Sequence, residues 1–108
     1  MEARFVIVLM TAGSAAEGEA IAGALVQEQL AACVNVVGPI RSVYRWQGAV
    51  ERAEEHLLIA KTRADLFAAL SARVHELHSY DTPEVIALPL EAGAEGYLAW
   101  LAESTNTG

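Results

Sequence analysis

Phe5 to Met10 is an unbroken apolar run, the pattern of a central strand buried on both faces. Gly13 ends it. Ser14-Ala15-Ala16-Glu17 then has the spacing of a capping box, in which a hydroxyl and a carboxylate satisfy the free amides of a helix start. Ala20, Ile21, Ala24 and Leu25 recur at helical spacing, so a helix is expected as far as Gln29. From Ala32 to Arg45 the chain is rich in Val, Ile and Tyr. From Ala49 to Lys61 it begins polar and ends apolar, and Trp46-Gln47-Gly48 between them reads as a tight turn. Each arm of this hairpin has roughly 13 residues, a reach of about 40 Å at about 3.3 Å per residue. Typical strands have only about 5–6 residues.

Gly38-Pro39 interrupts the first arm, and because Pro lacks an amide hydrogen this point is expected to be a bulge, a bend or an edge position. Asn35, Arg41 and Arg45 also disturb its alternation. In the second arm, Glu51, Arg52, Glu54 and Glu55 are expected to face solvent before Leu57-Leu58-Ile59-Ala60 returns to the core. Thr62-Arg63-Ala64-Asp65 resembles a second helix cap. Leu66, Phe67, Leu70 and Val74 then form the stripe of an amphipathic helix ending near Leu77. His78 to Pro83 reads as a loop, and Val85 to Leu88 as a strand stopped at Pro89. Gly93 and Gly96 flank a short last helix with Tyr97, Trp100 and Leu101 on one face. The polar tail from Ser104 to Gly108 is expected to fray.

The order β-α-β-β-α-β plus a small C-terminal helix predicts an α+β, ferredoxin-like fold with an antiparallel sheet and both main helices on one face. Residues 1–108 are expected to form one domain, since no linker, repeat or low-complexity segment divides them. A domain of this length has a radius of gyration of about 13 Å, so the long hairpin between the second and third strands must bend sharply or project. A projecting edge needs cover, and a second copy of the chain is the simplest cover.

The apolar fraction of 54 % fits buried subunit interfaces, or simply an Ala-rich sequence. The net charge of −7 argues against a nucleic-acid partner, which demands a basic stripe, and leaves cations as candidate ligands. No apolar run approaches the roughly 20 residues of a membrane span. Met1-Glu2-Ala3-Arg4 lacks the features of a secretory signal, so a cytoplasmic location is expected. Cys33 is the only cysteine, which excludes an intrachain disulfide and a CxxC-type zinc site.

Candidate chemistry concentrates in His78-Ser79-Tyr80-Asp81-Thr82-Pro83-Glu84, where an imidazole, a phenol and two carboxylates precede a strand. This set suits metal binding or proton transfer, while Asp81-Thr82-Pro83 is equally ordinary turn chemistry and Tyr80 an ordinary loop anchor. Cys33 reads either as a small buried hydrophobe or as a soft ligand preferred by Cu(I). Lys61, at the end of a core strand, suits pairing with a carboxylate such as Glu84, contact with an anionic ligand, or a snorkelling surface position. Tyr44 and Trp46 near the hairpin tip suit packing on a neighbouring subunit. His56 and His75 carry no recognisable motif. No HxxxH pair, Gly-rich phosphate loop or Ser-His-Asp pattern stands out, so no specific enzymatic reaction is supported.

Leu30-Ala31-Ala32-Cys33-Val34-Asn35, Ser42-Val43-Tyr44-Arg45-Trp46-Gln47-Gly48, Leu58-Ile59-Ala60-Lys61-Thr62-Arg63, His78-Ser79-Tyr80-Asp81-Thr82-Pro83-Glu84 and Tyr97-Leu98-Ala99-Trp100 together resemble the CutA divalent-ion tolerance family, in the same order and over nearly the whole chain. The resemblance implies a tight homotrimer linked by its hairpins and a non-enzymatic role in tolerance of copper and other divalent cations. Metal ligands are then expected at His78, Glu84 and Cys33. It also implies a likeness to trimeric PII-type signalling proteins, and so an alternative in which a small anionic metabolite binds an inter-subunit cleft at Lys61, Tyr80, Tyr44 and Trp46. Two departures stand out. The family usually has His-Pro-Tyr where this chain has His78-Ser79-Tyr80, implying a less rigid loop, and often Pro-Gly where it has Gly38-Pro39.

Overall fold

The computed structural model describes residues 4–105, so the signal-peptide reading of Met1-Glu2-Ala3 and the end of the predicted tail lie outside the described residues. Strand β1 (Phe5–Ala12) leads into helix α1 (Ala15–Gln27). Strands β2 (Cys33–Trp46) and β3 (Ala49–Arg63) form the long hairpin. A 3-10 turn at Ala64–Leu66 opens helix α2 (Phe67–Leu77), followed by β4 (Val85–Pro89) and α3 (Glu95–Glu103). The sheet order is β2-β3-β1-β4, with every neighbouring pair antiparallel. This is the expected α+β, ferredoxin-like arrangement.

Alternation along β1 sorts the two faces. Val6, Val8, Met10 and Ala12 point to one side, where with Leu58 and Ala60 of β3 they pack against Ile21 and Leu25 of α1 and Leu70 and Val74 of α2. On the other side, Phe5 and Ala32 pack against Leu101 of α3. The rest of that second face is open: Ile86 and Leu88 of β4 and Val37 of β2 are exposed, and Ile7, Leu9, Leu57 and Ile59 between them are only half-buried.

The hairpin turns at Gln47 and Gly48, whose positive φ values of 48° and 81° give the twist that matches two right-handed strands. Beyond the end of β1, β2 and β3 pair only with each other, and the molecule reaches 44 Å along its longest axis. Gly38 and Pro39 form the predicted bulge, since the register shifts between Val37 and Ile40. A Cβ at Gly38 would overlap the His56 ring, so Gly38→Ala is expected to lower stability by roughly 1–3 kcal/mol, as overpacking does. Chemical denaturation reads this directly; an unchanged midpoint would mean that the His56 ring turns aside freely.

Several local expectations change: Gly96 lies inside α3 rather than flanking it, and β1 is buried on one face only, since Ile7 and Leu9 are half-buried. Helix α1 stops at Gln27, because Gln29 enters the left-handed region (φ 60°) and Leu30 N donates back to Leu25 O, a Schellman closure. Thr62 is not a cap: it is fully buried on the core face of β3 and donates to Leu30 O at 2.6 Å. Glu55, read as solvent-facing, is only 7 % exposed. Thr105 does not fray, since its hydroxyl donates to Leu101 O at 3.0 Å in a buried position.

Candidate functional site

Two polar clusters lie near opposite ends of β1. The first gathers where β1 ends, α1 begins and the loop after α2 crosses between them. Ser14 caps α1, accepting from Glu17 N at 3.1 Å. The Glu17 carboxylate does not close the box on Ser14. It accepts from Gly13 N at 3.3 Å and, across the fold, from Ser79 N at 2.7 Å. Burial pushes the Glu17 carboxyl up, but these amide donors outweigh it and hold the group below its ordinary value.

The His78 side chain is fully buried. Its Nε2 lies 2.7 Å from Thr11 O and its Nδ1 3.0 Å from Tyr80 N. A carbonyl only accepts and an amide only donates, so Nε2 carries the proton and Nδ1 accepts. Both ring nitrogens are thereby used inside the fold, with the Glu17 carboxylate 3.7 Å from Nδ1. The Tyr80 ring packs against His78 with 4.6 Å between centroids, and its hydroxyl donates to the buried Glu55 carboxylate at 2.9 Å. Burial and the anionic Glu55 push the Tyr80 phenol up to about 12, so it remains a neutral donor. Through this pair the base of the hairpin is fastened to the loop that carries His78.

The second cluster is set by the β2–β3 register. Cys33 stands opposite Lys61, and Asn35 is two residues along on the same face. Lys61 Nζ donates to Asn35 Oδ1 rather than meeting Glu84. Cys33 Sγ lies 3.7 Å from the hydroxyl of Tyr97 on α3, and that contact, with burial, raises the Tyr97 phenol. Asn35 and Tyr97 are the members of this set to which the sequence reading gave no site role. Asn35 interrupts an apolar strand, and that interruption was the available signal.

Lys61 aligns with Ile7 on β1, whereas His78 binds Thr11, four residues further, about 13 Å along a strand. Cys33 and His78 therefore do not meet within one subunit. Glu84 is exposed just before β4, and Tyr44 and Trp46 are exposed on the outer hairpin, Trp46 at 55 %. Among the described residues no three His, Cys, Asp or Glu side chains come together as a cation would require. A closed metal centre does not fit a single subunit, chiefly because His78 has no free lone pair. No helix among the described residues is long and apolar enough to cross a membrane.

Residues 6–104 match the family model of the CutA1 divalent ion tolerance protein. The chain belongs to this family. It is 48 % identical over 100 residues to the divalent-cation tolerance protein CutA of Thermus thermophilus, covering 93 % of this chain and 97 % of that one. It is also 48 % identical over 101 residues to the chloroplastic CutA of Arabidopsis thaliana, where the match covers 94 % of this chain but 56 % of the relative. The chain thus spans little more than half the length of the plant CutA proteins it matches. Among solved structures, the Thermus thermophilus CutA1 superposes with a TM-score of 0.93 at 47 % identity, covering 94 % of this chain and 99 % of that one. The Oryza sativa CutA1 superposes at 0.95 with 45 % identity, covering 99 % and 98 %. The Thermus thermophilus relative is by name a divalent-cation tolerance protein.

Proposed function

We propose that this CutA protein acts in divalent-cation tolerance as a homotrimer, with copper the principal cation and the binding groups completed between subunits. The observation that carries this reading is the uncovered apolar sheet face, with Leu88 49 % and Ile86 50 % exposed beside a hairpin that runs past its own sheet. A monomer with such a face and such an edge is an unfinished structure. The exposed carboxylate of Glu84 and the thiol of Cys33, opposite in hardness, are the groups left free to take a cation shared with a neighbouring subunit.

Calorimetric titration with Cu(II), Cu(I) and Zn(II), with mass followed by light scattering, tests this. Saturable binding at one or a few sites per trimer is expected, weakened by Glu84→Gln or Cys33→Ser with the mass unchanged. An intact trimer that takes up no cation would overturn direct binding. A second reading would then stand: a PII-like module whose cleft receives a small anionic metabolite. What favours it is Lys61, which donates to the neutral Asn35 amide and has no carboxylate within ion-pair distance among the described residues.

A further inference from the structure

Three of the seven Lys and Arg residues of this acidic chain sit together on one face of the outer hairpin. The register places Arg41 opposite Glu54, Val43 opposite Arg52 and Arg45 opposite Val50. Residues directly opposite share a face, and residues two apart on a strand share it too. Arg41, Arg45 and Arg52 therefore project on the same side, and Arg52 is the diagonal neighbour of both others. Diagonal neighbours across an antiparallel pair are about 7–8 Å apart. The remaining members of that face are Val43, Val50 and the single carboxylate Glu54.

The three arginines are exposed, and among the described residues none has a carboxylate within ion-pair distance, although Glu54 faces Arg41 directly. Elsewhere arginine does find such partners: Arg63 meets Asp65, and Arg73 meets Glu28 and Glu76. Three like charges with a single carboxylate on their face repel one another. That repulsion is relieved by an anion held between them. Arg41 and Arg52 line a cavity of about 250 Å³ together with Ser42, Val43, Ala53 and Glu54.

We infer that this face of the hairpin binds a phosphate-type oxyanion, free or carried by a small molecule, with Arg52 at its centre. Guanidinium groups on side chains rooted about 7–8 Å apart can close on a tetrahedral oxyanion from both sides, each offering a planar fork of donors. A doubly charged phosphate or diphosphate matches the excess of three arginines over one glutamate. A carboxylate monoanion leaves half of that charge unmet. The site is distinct from the Lys61 cluster, which lies at the far end of the hairpin by register, and it does not rest on the cation reading.

Calorimetric titration of the assembled protein with inorganic phosphate and with pyrophosphate at low salt is the test, with mass measured in parallel. Saturable pyrophosphate binding near one per subunit is expected. Arg52→Ala should weaken it about tenfold or more, the scale of a lost charge-assisted contact. Arg52→Lys should fall between, keeping charge but losing the fork. Lys61→Ala should leave it unchanged. Three results would overturn the inference: affinity indifferent to Arg52→Ala, binding abolished by Lys61→Ala instead, or an Arg52→Ala protein of altered mass, which would make this face a subunit contact.

Discussion

Glu17→Ala is expected to destabilise the subunit by about 2–4 kcal/mol, far more than a surface glutamate usually contributes, because it strips two backbone amides of a charged acceptor. One of those amides belongs to Ser79, so the loss propagates to the loop that holds His78 and Tyr80. The family resemblance implies a proline after the histidine, where this chain has Ser79. Proline has no N–H, so it could not make the 2.7 Å bond that Ser79 makes to Glu17. In this chain a hydrogen bond stands where the resemblance implies a proline ring. Ser79→Pro should accordingly reduce the cost of Glu17→Ala to the share carried by the Gly13 amide, and a double-mutant cycle by urea denaturation reads that coupling. If the two changes add independently, Glu17 stabilises only its own helix. The pH dependence has a definite sign. The folded-state carboxyl lies below its ordinary value of 4.5, so its contribution is complete above that pH and is lost as pH falls through the depressed value. Glu17→Ala should remove that part of the acid sensitivity.

The elements were legible because their signals are local. An apolar run gave β1, a capping spacing gave the start of α1, and Gln47-Gly48 between two β-rich arms gave the turn. The bulge at Gly38-Pro39 followed from the missing amide hydrogen of proline alone. What resisted reading were side chains whose partners lie far along the chain. Glu17 looked like half of a capping box, and its decisive partner is 62 residues away. Glu55 sat in a run of charged residues, yet it is buried and its partner Tyr80 lies 25 residues away. Thr62 had the right spacing for a cap, yet strand alternation turned it inward to Leu30. His78 stood out by residue type, but only the geometry reveals that both its nitrogens serve the fold. Local pattern thus places elements, whereas roles depend on long-range contacts that a single sequence does not display.

Leu88→Asp separates the proposed trimer from a monomer more sharply than any other single change. In the isolated subunit Leu88 is half exposed on the open sheet face, aligned with Ile7 of β1. If the chain works alone, an aspartate there meets water, and the expected change is within about 0.5 kcal/mol. If that face is buried between subunits, each assembly must take three carboxylates out of water, at a cost of several kcal/mol per ion. Light scattering at micromolar concentration should show the wild-type mass at three subunits and the variant at one. The thermal midpoint of the wild type should rise with protein concentration, as linked assembly requires, and that of the variant should not. A variant that retains full mass and midpoint would remove the sheet face from the interface and leave the projecting hairpin as the element that must carry assembly.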